Sequence, residues 1–160
     1  MRIIVLFGTE SGTAEFVAGD LAKKLGGEFE VIVSDMAEYP VTNLNNQDFY
    51  VFVSSTYGEG DPPLSAKPFL ATLDRDMPDL SGVRYAIFGV GDSAYPETYC
   101  GGSQMIAKKM EIRGAFRVGE FGQHDASGRD HPTDVALEWI KSIVPLAMGA
   151  KGDLAPSANS

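Results

Sequence analysis

Residues 2–15 read RIIVLFGTESGTAE, and this stretch contains the pattern that decides the fold. Arg2–Phe7 is almost continuously apolar, which is typical of a strand buried on both faces of a sheet. A glycine and several hydroxyl residues follow, and apolar residues then recur at helical spacing from Ala14 to Leu25. A buried strand that passes through a short loop into a helix indicates the first half of a βαβ unit.

Four further runs have the character of strands and alternate with helical segments. Phe49–Ser54 and Tyr85–Val90 are apolar almost throughout and are predicted to be central strands. Glu28–Val33 and Ala115–Phe121 partly alternate apolar with polar residues, which favours the edges of the sheet. Right-handed crossovers between these strands are compatible with the order 2-1-3-4-5. We therefore predict a three-layer α/β fold, in which a five-stranded parallel sheet of that order has helices on both faces.

Glycine and proline mark the bounds of the helices. The first helix is predicted to end at a glycine pair, and a shorter helix covers Ala66–Arg75. The helix before the fifth strand closes at Gly114, and the last helix runs from near Pro132 to near Pro145. Asp35–Gln47 fits no single pattern, and its asparagine-rich end is typical of a loop.

Composition limits the classes of function. The 160 residues are enough for one domain, and 22 acidic against 13 basic residues give a net charge of −9. Nucleic acid and anionic membranes attract basic surfaces, so neither is an expected partner. Cys100 is the single cysteine, which excludes an internal disulfide and favours a reducing environment.

The expected organisation is one cytoplasmic domain. The apolar run after Arg2 is too short for a secretory signal, and no run approaches the ~20 residues that span a membrane. The domain is predicted to cover residues 1–148. Residues 149–160 are small and polar without periodicity, and they are predicted to form a disordered tail.

In a parallel sheet of this order, ligands bind beyond the carboxyl ends of the strands. The loop after the first strand carries Thr9, Ser11 and Thr13 around Gly12 and leads into a helix. Hydroxyl groups and free amide N–H groups at a helix N-terminus suit a phosphate. The loop contains no Lys or Arg and lacks the nucleoside-triphosphate pattern, which favours a monophosphate. By itself it fits an ordinary Ser/Thr-rich helix cap equally well.

The loop after the third strand places Tyr57 between Thr56 and Gly58. An exposed aromatic side chain at the end of a central strand is able to stack on a flat ring. A glycine-rich turn with a surface tyrosine would show the same pattern.

The loop after the fourth strand again carries aromatic residues, Tyr95 and Tyr99. Its Gly89-x-Gly91-x-x-Ala94 spacing matches a dinucleotide fingerprint only superficially, because that fingerprint belongs to the first βαβ unit. One phosphate-binding loop and two aromatic platforms at one edge indicate a ligand with a phosphate at one end and a flat ring at the other. FMN is such a ligand.

The sequence resembles the flavodoxin family, in particular its short, MioC-like members and the FMN domains of diflavin reductases and sulfite reductase flavoproteins. The resemblance covers residues 2–147 and rests on three motifs in register, TESGTAE at 9–15, STYGEGD at 55–61 and FGVGDSAY at 88–95, with Tyr99-Cys100-Gly101 in addition. It implies the flavodoxin-like fold and FMN as the cofactor.

The resemblance also implies a role for each loop. The first would hold the phosphate, and the second and third would hold the isoalloxazine ring between Tyr57 and Tyr95, with the Gly58 carbonyl directed to flavin N5. An acidic loop would approach the ring at Asp125. The predicted cofactor-binding residues are Thr9, Glu10, Ser11, Gly12, Thr13, Ala14, Ser55, Thr56, Tyr57, Gly58, Gly60, Gly89, Gly91, Asp92, Tyr95, Tyr99, Cys100 and Asp125.

The implied function is electron transfer by an FMN that cycles between oxidised, semiquinone and hydroquinone forms. The expected donor is a separate NAD(P)H-dependent flavoprotein reductase, and the expected acceptors are basic-faced redox proteins. The chain is expected to be a monomeric carrier and not an enzyme. Acidic residues around the ring would lower the hydroquinone potential and steer basic partners. These acidic residues are Glu59, Asp61, Asp92, Glu97, Asp125 and Asp130.

Other functions fit the sequence less well. An FMN-dependent quinone or nitro reductase would use the same fold, but the sequence shows no dedicated acid, base or nicotinamide motif. A signalling receiver needs an acidic pair after the first strand, where this chain has Gly8-Thr9. Two His and two Asp within residues 124–131 are metal-ligand types, but a solvated loop with a helix cap at Asp130 or His131 is the simpler interpretation.

Overall fold

The computed structural model describes residues 1–9, 12–56, 61–91, 100–125 and 128–152. These residues form one sheet with two helices on each face. The strands are β1 (Arg2–Gly8), β2 (Glu30–Asp35), β3 (Phe49–Ser55), β4 (Arg84–Gly91), β5 (Phe116–Arg117) and β6 (Gly122–Asp125). The helices are α1 (Thr13–Leu25), α2 (Lys67–Asp76), α3 (Gly101–Ile112) and α4 (Pro132–Gly152), and short 3₁₀ turns cover Met36–Glu38, Val41–Asn43 and Leu64–Ala66.

The predicted strand order is confirmed. The strands lie in the order β2-β1-β3-β4-β5, and every pairing is parallel. The central strands are buried on both faces, as continuous apolar runs require. β2 is an edge strand, and its Ile32 and Val33 are partly exposed.

Two hydrophobic cores lie on opposite faces of the sheet. Val5 and its alternate neighbours along β1 pack with α1 and α4, whereas Ile4 and Leu6 pack with α2 and α3. This alternation follows from the two-residue period of a strand. The helices therefore cover both faces, and the strand ends remain as the places where loops and polar groups accumulate.

The fifth strand differs from the prediction of one strand over Ala115–Phe121 followed by a loop. β5 contains only two residues, and the chain then leaves the sheet at Gly119, whose φ of 77° is in the left-handed region. It returns as β6, which pairs with Phe88–Gly91 at the other end of β4. The Trp139 indole N–H donates to the Glu120 carbonyl (2.9 Å) and holds the segment between the two strands.

α4 also differs from its prediction, because it continues through Pro145 to Gly152. Residues 149–152, which the sequence assigned to a tail, are therefore helical, and residues 153–160 lie outside the described part of the chain. The helix is held beyond the proline by Ala147, which is fully buried and accepts a hydrogen bond from Arg84 Nη1 (3.0 Å). Within the described ranges, no helix combines the length and the apolar character needed to cross a membrane.

Arg84 makes this contact from the amino end of β4. Its guanidinium is buried, lies over the Phe49 ring (5.8 Å to the centroid), and its pKa is lowered because burial disfavours the charge. Nearby, Asp48 pairs with Arg2 at the amino end of β1 (2.7 Å). The charged groups buried in the sheet thus lie at the edge opposite the three predicted loops.

Gly122→Ala should destabilise the fold. A Cβ at this position would lie 2.6 Å from Phe88 Cδ1 and 2.8 Å from the Trp139 ring, so the indole would have to move off β6. We expect the free energy of unfolding to fall by about 1–3 kcal/mol, measured by urea denaturation. Gly19→Ala is the matched control, because a Cβ there meets nothing within 4 Å in the middle of α1. It should gain about 0.5–1 kcal/mol, and a Gly122→Ala variant as stable as this control would contradict the packing.

Candidate functional site

The three predicted loops leave the sheet at one edge and from adjacent positions. In the strand register, Gly8 lies beside Ser54, and Ser54 lies beside Gly89. One strand further, Gly91 lies beside Asp125. The carboxyl ends of β1, β3, β4 and β6 therefore bring all three loops and Asp125 together. Eight predicted site residues lie outside the described part of the chain, namely Glu10, Ser11, Tyr57, Gly58, Gly60, Asp92, Tyr95 and Tyr99.

The first loop ends in the N-terminus of α1, which begins at Thr13. Its cap residue, Gly12, has a φ of 101°, and a Cβ there would meet nothing within 4 Å. The Gly12 N–H donates to Thr9 Oγ1 (2.8 Å), so the threonine side chain fixes the entry into the helix. Ala14 is fully buried, so its side chain belongs to the core. Amide groups and a positive helix end beside an open glycine are suited to an anion.

The second loop begins at Ser55 and Thr56. Ser55 Oγ is buried at the end of β3 and has no hydrogen-bond partner in the described ranges, so a polar ligand group at this edge would satisfy it. Thr56 Oγ1 accepts a hydrogen bond from the Gly102 N–H in the first turn of α3 (3.0 Å). The Thr56 side chain thus fastens the loop to α3.

Gly89 and Cys100 mark the two ends of the third loop in the sequence. Cys100 is fully buried, precedes α3 and has a φ of 56°. A Cβ on Gly89 would collide with Ser103 Oγ and lie 3.2 Å from Cys100 Sγ. The structure places both residues in the packing of α3 against β4, and their predicted contact with the cofactor stays a prediction.

The loop before α4 is organised by two histidines. His124 is 6% exposed, and its Nε2–H donates to the Asp130 carbonyl (2.7 Å), which ties this loop to β6. His131 Nδ1 accepts a hydrogen bond from the Thr133 N–H (3.1 Å) and so caps α4. The helix-cap interpretation of this loop is confirmed at His131. The missed strand β6 is what brings Asp125 beside Gly91.

Sequence reasoning missed two residues that hold the loops in place. Gly102 approaches the second loop so closely that a Cβ would lie 2.6 Å from the Ser55 carbonyl oxygen and 3.0 Å from that of Asp61. Its signal in the sequence is a glycine pair at the start of a helix. Ser65, in the turn Leu64–Ala66, accepts a hydrogen bond from the Thr9 N–H (2.9 Å) and has no signal in the sequence.

Comparisons with known proteins agree with this geometry. The family model described as Flavodoxin matches residues 5–139. Protein MioC of Escherichia coli (strain K12) is 34% identical over 147 residues, which cover 90% of this chain and 97% of MioC. NADPH oxidoreductase A of Dictyostelium discoideum is 32% identical over 147 residues, covering 88% of this chain but 23% of that protein. Among solved structures, a mutant of flavodoxin from Pseudomonas aeruginosa aligns with a TM-score of 0.78 at 26% identity, covering 92% of this chain and 99% of that one.

Gly102→Ala should push α3 away from the second loop, because its Cβ would meet backbone atoms that have little freedom to move. We expect a loss of about 1–3 kcal/mol in the free energy of unfolding, measured by urea denaturation. The control is Gly149→Ala, since a Cβ there meets nothing within 4 Å in α4. Equal stability of the two variants would show that Gly102 is not required for the contact.

Proposed function

This chain belongs to the flavodoxin family, and from that premise we propose that it binds FMN and carries single electrons from a separate NAD(P)H-dependent flavoprotein reductase to acceptor proteins. The observation that carries the proposal is the strand register, which sets Gly8, Ser54 and Gly89 side by side and so gathers three loops at one edge. Ligands of open α/β sheets bind at such an edge.

The described residues of the first loop fit a phosphate group. Thr9, Gly12 and Thr13 surround the start of α1, where amide N–H groups and the helix dipole favour an anion without a lysine or arginine. At the start of the second loop, Ser55 Oγ has no hydrogen-bond partner among the described residues and is a further polar group at the same edge. We propose that Thr9, Gly12 and Thr13, with Glu10 and Ser11, hold the FMN phosphate.

We propose that the second and third loops hold the ring. When bound, FMN supplies a ring system that accepts and releases one electron at a time. Tyr57 and Tyr95 would cover its two faces and exclude water, and the Gly58 carbonyl would accept a hydrogen bond from a proton at N5. Gly91 and Asp92 would line the remaining edge.

Oxidation of NAD(P)H would fall to a separate reductase, because the sequence shows no nicotinamide motif. The acceptors are proposed to present basic surfaces, since the chain carries a net charge of −9. Of the acidic residues predicted around the ring, Asp61 and Asp130 are exposed, and Asp125 is half-buried beside Gly91.

The purified protein should be yellow, show flavin absorption bands and release FMN on denaturation. Spectroelectrochemical reduction should resolve two separate one-electron steps, because a single-electron carrier must stabilise the flavin form that holds one added electron. A colourless protein that cannot be reconstituted with FMN would refute the proposal. Oxidation of NADPH by the isolated protein without a reductase would instead support an FMN-dependent quinone or nitro reductase.

Neutralising Glu59, Asp61 and Glu97 together, as Glu59→Gln, Asp61→Asn and Glu97→Gln, should slow electron transfer to a basic acceptor. With cytochrome c as the acceptor, we expect the low-salt rate to fall by about threefold to tenfold and its salt dependence to flatten, measured by stopped flow. The reason is the loss of steering by acidic groups beside the flavin.

The matched control removes the same number of charges elsewhere, as Glu28→Gln, Glu30→Gln and Asp76→Asn. All three residues are exposed and lie near the opposite edge of the sheet. An equal change in both triple variants would mean that net charge, and not its placement, governs the encounter.

A further inference from the structure

We infer that Ser65 is a positioning residue for the phosphate end of the cofactor, an inference that rests on the proposed FMN site. Ser65 belongs to the 3₁₀ turn Leu64–Ala66, which follows the second loop and precedes α2. Its Oγ accepts a hydrogen bond from the Thr9 N–H at 2.9 Å, across 56 positions of sequence. The first loop of the site is thereby anchored by a side chain from the turn that follows the second loop.

The hydrogen bonds continue from Ser65 to the start of α1. Thr9, held through its N–H, in turn accepts the Gly12 N–H at its Oγ1 (2.8 Å). Gly12 is the cap of α1, so the orientation of the first helical turn depends on where Thr9 is held. The N–H groups of Thr9 and Gly12 are both used within the protein. Thr9 Oγ1 accepts the bond from Gly12 through its oxygen, so the Thr9 O–H can still donate its hydrogen to a phosphate.

Packing around Gly8, at the end of β1, holds the backbone next to the Ser65–Thr9 contact. A Cβ on Gly8 would lie 3.1 Å from Ala66 Cβ and 3.2 Å from Pro63 Cγ. Pro63 and Ala66 therefore lie against the end of β1, and both are buried there. Because the backbones on both sides are held by packing, the serine hydroxyl meets the Thr9 amide at a set position.

This arrangement predicts that loss of the Ser65 hydroxyl weakens binding of the phosphate end of the ligand and not of the ring end. Removing the Ser65 hydroxyl leaves the Thr9 N–H without its acceptor and loosens the entry into α1. The phosphate depends on that entry, whereas the ring depends on the second and third loops. Ser65 should therefore matter for FMN, which has the phosphate, and little for riboflavin, which lacks it.

The test is to titrate the flavin-free, full-length Ser65→Ala protein with FMN and with riboflavin, following the quenching of flavin fluorescence. We expect the Kd for FMN to rise about fivefold to tenfold and the Kd for riboflavin to change less than twofold. Ser65→Thr keeps the hydroxyl and should restore the FMN affinity. Ser142→Ala, which removes an exposed hydroxyl on α4, is the control and should change neither constant.

Equal losses of FMN and riboflavin affinity, or no loss of FMN affinity, would overturn the role of Ser65. Failure of the wild-type chain to bind either flavin would refute the proposed function instead. Hydrogen exchange of the Thr9 amide in the wild-type protein tests the contact without any variant. Protection of that amide supports the contact with Ser65, and exchange at the rate of a free amide overturns it.

Discussion

Burial of β1, β3 and β4 on both faces is the constraint on which the rest of this structure depends. A strand covered on both sides has no place for polar side chains along most of its length, so polar chemistry is confined to the ends. The two ends are used differently. Arg2, Asp48 and Arg84 form charged contacts at the amino edge, whereas glycines and hydroxyl residues occupy the carboxyl edge. The charged contacts that support the fold and the residues suited to a ligand thus lie at opposite ends of the strands.

The elements that follow from local pattern were predictable from the sequence. Continuous apolar runs identify the central strands, and the partly polar run Glu28–Val33 identifies the edge strand β2. The same is true of the loop positions, because parallel strands carry their following loops to one edge. Asp125 was assigned to the site by family resemblance, and its position beside Gly91 became apparent only with β6.

What could not be predicted depends on contacts between distant residues. Trp139 packs closely on Gly122 in β6, and Arg84 donates to the Ala147 carbonyl beyond Pro145 in α4. Ser65 is an ordinary polar residue in the sequence, and its role arises only from its distance to Thr9. No propensity or periodicity encodes such pairs, so tertiary packing decides them.

The division of the outer strand has a further consequence for how this protein meets others. The backbone of an unpaired edge strand is a template on which a second chain can extend the sheet. On this side, the edge is split into two residues of β5 and four of β6, and the chain leaves the sheet at Gly119 between them. The row of free backbone groups is therefore interrupted, which disfavours edge-to-edge polymerisation in a crowded solution. A carrier that must dissociate from one partner before it reaches the next benefits from an outer edge of this interrupted kind.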